Sequence, residues 1–239
     1  MIKKILIGGF TAVSMSLLLA GCGTNSTSSS QSKSDESTAM TSQSSSSTSM
    51  SSDKTMQNQA GEIIGNYNSD DKKVLGATRP GETVEFKVPV SNQEEYLHFA
   101  FMHAASGDKG WYFAPKSEDG VALNKDAFKD NMTMDITNDI ALYAAPNETT
   151  ATMVTKDDGT LKYGDTDKFM TASVALKDDM YVVTIKNISD GDMKTPFSSG
   201  VWEVTTDKEK GFDHTASKEL STLATSGNRT DLYKKVSEK

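Results

Sequence analysis

The stretch Thr83-Val84-Glu85-Phe86-Lys87-Val88-Pro89-Val90 decides the fold class. It places its valines and its phenylalanine on one face and Thr83, Glu85 and Lys87 on the other. An alternation of period two is what a strand with one buried face requires. Pro89 has no backbone N–H to donate to a neighbouring strand, so the strand belongs at a sheet edge or near its own end. The stretch therefore predicts a half-buried edge strand.

Further apolar runs predict six more strands. Residues 96–102 are apolar on both faces, which is typical of a central strand. The remaining candidates are residues 137–143, 150–155, 169–176, 180–188 and 200–205, and turn sequences rich in Gly, Asp and Pro separate them. No alternation of strands and helices and no Gly-rich phosphate loop is present. The pattern predicts an all-β fold, a β-sandwich.

Helix is expected only near the C-terminal end of the chain. Residues 215–219 offer a hydroxyl cap followed by an acidic first turn, and Gly227 fits the stop of that helix. A second short helix would start at Thr230 and carry Leu232, Tyr233 and Val236. The sequence predicts one or two short C-terminal helices.

Composition and charge exclude several classes of protein. The chain has 239 residues, one Cys, 25 Lys and Arg, and 33 Asp and Glu, so its formal charge is 25 − 33 = −8. One Cys cannot support a disulfide scaffold, and an acidic chain is a poor binder of nucleic acid. Residues 61–239 suffice for one packed domain.

The N-terminal residues have the pattern of a secretory signal. Lys3 and Lys4 precede an apolar run from Ile5 to Leu19, which is short for a membrane span. The ending Leu19-Ala20-Gly21-Cys22 resembles the bacterial lipobox. This resemblance implies that residues 1–21 are removed and that Cys22 carries a lipid, which anchors the protein on the extracellular face of the cell membrane. The alternative is an ordinary secretory peptide with a chance Cys.

Residues 22–60 predict a disordered tether. Residues 23–60 contain 15 Ser and no aromatic residue, so they cannot bury enough apolar surface to offset the entropy of ordering. A flexible coil of this length spans roughly 30–35 Å. That reach would lift a domain into a cell wall, which favours a Gram-positive host. Without Lys3 and Lys4 the mature charge would be 23 − 33 = −10.

Two segments carry a resemblance to a known family. The first comprises residues 97–102, 110–115, 120–123 and 135–143, and the second comprises residues 182–187, 195–202 and 216–227. Together they resemble the bacterial branch of the spondin-type domain, a C2-like β-sandwich. The order of the two segments is reversed relative to that family, which suggests a circular permutation. A permutation would place residues 232–236 beside residues 74–81, with one core shared by Phe99, Phe101, Val183, Ile185 and Trp202. The alternative is two chance matches between strand-like sequences.

The resemblance also implies a Ca²⁺ site between loops. Asp108 lies close to the position of the family's first acidic ligand, and Glu148 takes that of the last one. Ala144 stands where another acid is expected. Since Ca²⁺ takes six to eight oxygen ligands, the loss of a carboxylate implies a weakened site. The alternative is that Asp108 and Glu148 are ordinary surface acids.

Three other candidate sites have a structural role as the alternative. Trp111 and Tyr112 could form an aromatic contact surface for a ligand, with core packing as the alternative. His98 and His103 are five residues apart, so on one strand they face opposite sides and cannot share a metal ion. The Asp-rich residues 157–167 lack the spacing of an EF-hand, which favours hairpin turns.

These patterns predict a lipid-anchored extracellular protein that binds or adheres at the cell surface. No Gly-x-Ser-x-Gly elbow or metal-ligand pattern indicates an enzyme, so we expect no catalytic activity and no cofactor other than a weak Ca²⁺ site. The expected partners are the membrane, through the lipid on Cys22, and a surface glycan or protein, with no nucleic acid. The alternative is a cell-envelope enzyme or a chaperone-like helper with an unrecognised active site.

Overall fold

The computed structural model describes residues 59–66, 76–91 and 93–239, with the side chains of residues 129–131 left aside. The predicted signal peptide, Cys22 and nearly all of the predicted tether lie outside these residues. The first strand starts at Gln59, so Gln59 and Ala60 belong to a strand and not to the tether.

The described residues form eleven strands and two α-helices. The strands are β1 (Gln59–Ile63), β2 (Thr83–Pro89), β3 (Glu95–His103), β4 (Trp111–Pro115), β5 (Val121–Leu123), β6 (Thr133–Asp135), β7 (Ile140–Ala144), β8 (Thr152–Met153), β9 (Met170–Lys177), β10 (Met180–Asn187) and β11 (Phe197–Thr205). The helices are α1 (Lys218–Ser226) and α2 (Thr230–Ser237).

The strands make two antiparallel sheets. The large sheet has the order β1-β11-β3-β4-β7-β8, with β5 paired to β3, and the small sheet has the order β2-β10-β9-β6. The two sheets share one apolar core, and α1 and α2 cover the other face of the large sheet. This arrangement confirms the predicted all-β sandwich with two short C-terminal helices. The predicted edge position of β2 is also confirmed.

Two cores flank the large sheet, which explains why β3 and β11 are buried at every position. Successive side chains of a strand point to opposite faces. Phe99 and Phe101 point into the core between the sheets, whereas Ala100 points into the second core under the helices. The predicted core residues lie together between the sheets: Phe99, Phe101, Val183, Ile185 and Trp202.

Several strand boundaries differ from those predicted. Residues Thr137–Asp139 form a 3-10 turn, so the strand predicted from residue 137 begins at Ile140. At this turn the Thr137 N–H donates to the Asp135 carboxylate, and the Thr137 hydroxyl donates to the Ala172 carbonyl. Only Thr152–Met153 of residues 150–155 are in a strand. The prediction missed β1, β4, β5 and β6.

Helix α1 begins and ends as the sequence indicates, and α2 begins at Thr230 as predicted. The Ser217 hydroxyl accepts a hydrogen bond from the Leu220 N–H at 3.2 Å, which caps α1. Gly227 ends α1 in the left-handed conformation, at φ = 73°, and its N–H donates to the Leu223 carbonyl. Within the described ranges, no helix is long and apolar enough to cross a membrane.

One expectation of the permutation hypothesis is that Phe99 and Trp202 share a core. Phe99 and Trp202 lie directly opposite each other in the β3–β11 pair and belong to the same core. Helix α2 packs against β1 and β11. Val74, the other end of the predicted junction, lies outside the described residues, so the permutation stays a prediction.

Candidate functional site

Trp111 and Tyr112 are buried, which corrects the prediction that they contact a ligand. They lie on β4, between β3 and β7, with exposed fractions of 4% and 0%. Trp111 packs edge-on against the ring of His103, with centroids 5.7 Å apart. The Tyr112 hydroxyl donates to the Asp213 carbonyl at 2.7 Å, and burial raises the pKa of Tyr112. Both rings therefore pack inside the domain because the large sheet is covered on both faces.

Asp108 and Glu148 are exposed residues on two neighbouring loops. The Ala145 N–H donates to the Gly110 carbonyl at 2.9 Å and so joins these loops. Across the described part of the chain, no group of three or more His, Cys, Asp or Glu side chains is placed to hold a metal ion. The structure therefore does not bring Asp108 and Glu148 into a three-carboxylate cluster, and the weakened Ca²⁺ site stays a prediction.

A buried histidine–carboxylate pair lies under the helices. His98 points from β3 toward Asp213, which lies in the 3-10 segment Phe212–His214 before α1. The His98 Nδ1 and the Asp213 Oδ1 are 3.0 Å apart, and neither side chain is exposed. The second Asp213 oxygen accepts the Phe99 N–H at 3.2 Å. The His98 Nε2 is buried and has no hydrogen-bond partner among the described residues.

Two glycines close the space around His98. A Cβ atom on Gly211 would lie 2.1 Å from the His98 Nδ1, and one on Gly120 would lie 3.0 Å from its Nε2. The carboxylate orients the imidazole as it would orient a general base, but backbone occupies the place where a substrate would bind. The pair therefore links the helical segment to β3 and offers no room for a reacting group.

Glu203 is a third buried polar residue on the face of the large sheet that carries His98. It lies opposite His98 in the β3–β11 pair, and its side chain is fully buried. The Lys239 Nζ lies 3.1 Å from each Glu203 carboxylate oxygen. Burial raises the pKa of Glu203, and the bond from Lys239 opposes that rise. The last residue of the chain thus contacts the carboxylate that faces the buried pair.

His103 lies on the opposite face of β3 from His98, as their odd spacing predicts. Its ring packs against the rings of Trp111, Phe113 and Phe169 at centroid distances of 5.5–6.0 Å. Burial among these rings lowers the pKa of His103 to about 4. The two histidines cannot share a metal ion.

The Asp-rich residues 157–167 form a loop that ends in a short 3-10 segment, Thr166–Lys168. This loop connects β8 in the large sheet to β9 in the small sheet, and these strands do not pair, so the interpretation as hairpin turns is wrong. The Asp158 carboxylate accepts the N–H groups of Thr160 and Leu161, at 3.0 and 2.7 Å. These bonds, chiefly the one from Leu161, lower the pKa of Asp158. The Asp157 carboxylate accepts the Tyr163 N–H at 2.8 Å. These two carboxylates therefore fix the conformation of the loop that leads to Tyr163.

Two solvent-accessible clefts meet at Lys116, and we call them together the Lys116 cleft. The first has a volume of about 290 Å³ and lies between β7 and the segment that follows Tyr163. Its lining residues are Lys116, Asn138, Ile140, Ala141, Leu142, Met153, Val154, Tyr163, Gly164, Asp165, Thr166 and Asp167. The second has a volume of about 320 Å³ and is lined by Lys116, Ser117, Gly120, Val121, Ala122 and Asp139.

Neither the buried pair nor the Lys116 cleft is evident from the sequence. His98 and Asp213 are 115 residues apart, and only the packing of the helical segment on β3 joins them. The cleft combines residues from three loops, and its one local signal is the polar run Tyr-Gly-Asp-Thr-Asp at residues 163–167. No family model, no curated protein and no solved structure matches this chain.

Proposed function

We propose that this is a lipid-anchored protein of the extracellular face of the cell membrane, with a spondin-like sandwich that binds a glycan or protein at the cell surface. It has no catalytic activity in this proposal and no nucleic-acid partner. Its only covalent attachment is the lipid on Cys22. The sandwich is the part that makes contact with the ligand.

The observation that carries the proposal is the place of the only cysteine. Cys22 ends the run Leu19-Ala20-Gly21-Cys22, directly after an apolar stretch that two lysines precede. A thiol at this position of a lipobox-like sequence would accept the lipid. Each buried CH₂ of an attached chain contributes roughly 0.8 kcal/mol to membrane binding, so a lipid with several acyl chains holds the protein stably.

The surface of the sandwich supports binding more than catalysis. The Lys116 cleft is open and lined by polar side chains, and the His98–Asp213 pair is enclosed by glycine backbone. The alternative is a cell-envelope enzyme or a chaperone-like helper. The free Nε2 of His98 is the observation that favours an enzyme, because an imidazole oriented by a carboxylate is a common general base.

Fatty-acid labelling tests the anchor. Cells that express the full-length chain are fed a clickable fatty acid, and the protein is captured and scored for label. We expect label on the native protein, none on Cys22→Ser, and native labelling on the control Ser26→Ala. Label that persists in Cys22→Ser would overturn the lipid anchor.

A second assay separates the binding protein from the enzyme. The full-length protein is incubated with ester, peptide and glycoside substrates, and His98→Gln is run beside it. We expect turnover at the level of the buffer for both proteins. Turnover by the native protein that His98→Gln abolishes, while its melting temperature stays close to native, would favour the enzyme.

A further inference from the structure

The Lys116 cleft has walls that the fold already fixes. The Thr166 hydroxyl donates to the Ile140 carbonyl at 2.6 Å, and the Val154 N–H donates to the Leu142 carbonyl at 2.8 Å. The Lys116 N–H donates to the Asp139 carbonyl at 2.6 Å. Each wall is thus tied to β7 or to the turn before it. A site whose walls are ordered beforehand loses little entropy when a ligand binds.

Four polar side chains of the cleft have no partners among the described residues. Lys116, Asn138 and Asp165 are exposed, and Tyr163 is half-buried with its ring on the core between the sheets. None of these four side chains makes a hydrogen bond or an ion pair with another described residue. The cleft therefore presents an ammonium group that donates hydrogen bonds and a carboxylate that accepts them. It also presents an amide and a phenol, each of which can donate and accept.

From this combination we propose that the Lys116 cleft binds a neutral sugar residue of a surface glycan. The inference rests on the proposed function and names the ligand class of that binding protein. A sugar ring carries several hydroxyl groups, and each hydroxyl both donates and accepts. It matches a lining that holds donors and acceptors side by side.

Charge argues against an anionic ligand. Lys116 is the one lysine among the lining residues, and Asp139, Asp165 and Asp167 also line the cleft. Asp167 lies 3.5 Å from the Lys168 ammonium, which offsets part of its charge. The carboxylates outnumber the ammonium of Lys116, so the cleft repels an anionic ligand, and a neutral ligand avoids this penalty.

Size and surface composition favour a sugar over a protein. A volume of about 290 Å³ is near the lower end of the roughly 300–1,000 Å³ typical of small-molecule sites, and the adjoining cleft has room for a second unit. The centre of a protein interface is usually apolar or aromatic. The exposed large apolar side chain of this cleft is Met153, and Tyr163 is its aromatic residue.

A glycan array tests the ligand class. The full-length protein in detergent micelles is applied to an array of neutral, acidic and amino glycans, and each hit is titrated by calorimetry. We expect saturable binding to at least one neutral glycan. A preference for acidic or amino glycans would overturn the ligand class.

Variants of the cleft test the location. We expect Asp165→Ala and Lys116→Ala each to weaken the binding roughly tenfold or more, since each removes a charged hydrogen-bonding group. Tyr163→Phe removes only a hydroxyl and should weaken binding less. Asp190→Ala is the matched control, because Asp190 is exposed on another turn and does not line the cleft. Melting temperatures confirm that each variant is folded.

The outcomes separate this inference from the proposed function. Binding to a neutral glycan that all cleft variants retain would overturn the site. The full-length protein is also applied to an array of cell-surface proteins. Binding to this protein array and to no glycan, with lipid labelling intact, would overturn the inference and leave the proposed function standing. Fatty-acid label that persists in Cys22→Ser, together with no binding to either array, would overturn both the inference and the proposed function.

Discussion

His98 and Asp213 hold a fully buried hydrogen bond of 3.0 Å between the central strand β3 and the segment that enters α1. The same carboxylate also accepts the Phe99 N–H, and the Asp213 carbonyl accepts the Tyr112 hydroxyl. One residue thus contacts β3 twice and β4 once. These three bonds tie the segment before α1 to the large sheet.

Removal of the Asp213 carboxylate should therefore destabilise the domain. Asp213→Ala leaves a buried imidazole and a buried N–H without their acceptor, so we expect the free energy of unfolding to fall by about 3 kcal/mol. Asp207→Ala, at an exposed position, should stay within about 0.5 kcal/mol of the native protein. Urea denaturation at neutral pH measures both. Equal losses in the two variants would contradict a stabilising role for the pair.

His103 should make stability depend on pH. Its folded pKa of about 4 lies below its unfolded value of 6.5, so between these values the unfolded state binds the extra proton. The contribution of neutral His103 to the free energy of unfolding is therefore fully present above pH 6.5. It decreases by about 3 kcal/mol as the pH drops toward 4. The difference between the native protein and His103→Gln isolates the effect, because both share every carboxylate. A constant difference from pH 7 to pH 4 would refute the lowered pKa.

Burial of the Glu203 carboxyl should give a contribution to stability with the opposite pH dependence. Burial raises the folded pKa of Glu203 above 4.5, so its contribution to stability falls as the pH rises through that range. Lys239→Ala removes the cation that offsets this cost. We expect a loss of about 1 kcal/mol at neutral pH, since Lys239 is partly exposed, and a smaller loss near pH 4. Lys234→Ala is the control, and a pH-independent loss in Lys239→Ala would contradict the prediction.

The hairpin between β9 and β10 carries avoidable backbone strain. Asp178 and Asp179 both adopt positive φ, at 49° and 57°, which glycine tolerates far better than other residues. Asp178→Gly should raise the free energy of unfolding by about 0.5–1 kcal/mol. Asp207→Gly, where φ is not positive, should lower it by a similar amount. Thermal melting distinguishes the two signs, and a loss in Asp178→Gly would show that its side chain contributes more than the strain costs.

The parts of the fold predicted from sequence are those in which local pattern and burial agree. Strand β2 is buried on one face, so its alternation is visible, and α1 has a side-chain cap and a glycine stop within its own sequence. Strand β4 was missed because all five of its residues are buried between two cores. A run of Trp-Tyr-Phe-Ala-Pro has no alternation, and it lies between Gly110 and an exposed turn.

Strand β1 was missed for a different reason. Its sequence, Gln-Ala-Gly-Glu-Ile, has little strand propensity, and its pairing with β11 supplies the conformation. Gly61 lies directly under the indole of Trp202, where a Cβ atom would come within 2.5 Å of the ring. The buried pair and the Lys116 cleft depend on such contacts between distant residues, which composition and spacing do not encode.

Strand β1 also sets the mechanics of the domain. It forms one edge of the large sheet, and the Lys116 cleft lies at the other edge, beside β7 and β8. A protein anchored ahead of Gln59 and loaded by a ligand in that cleft would carry tension across the whole width of the sheet. Every backbone ladder from β1 to β7 would then share the force in series, and the weakest ladder would set the load at which the domain opens.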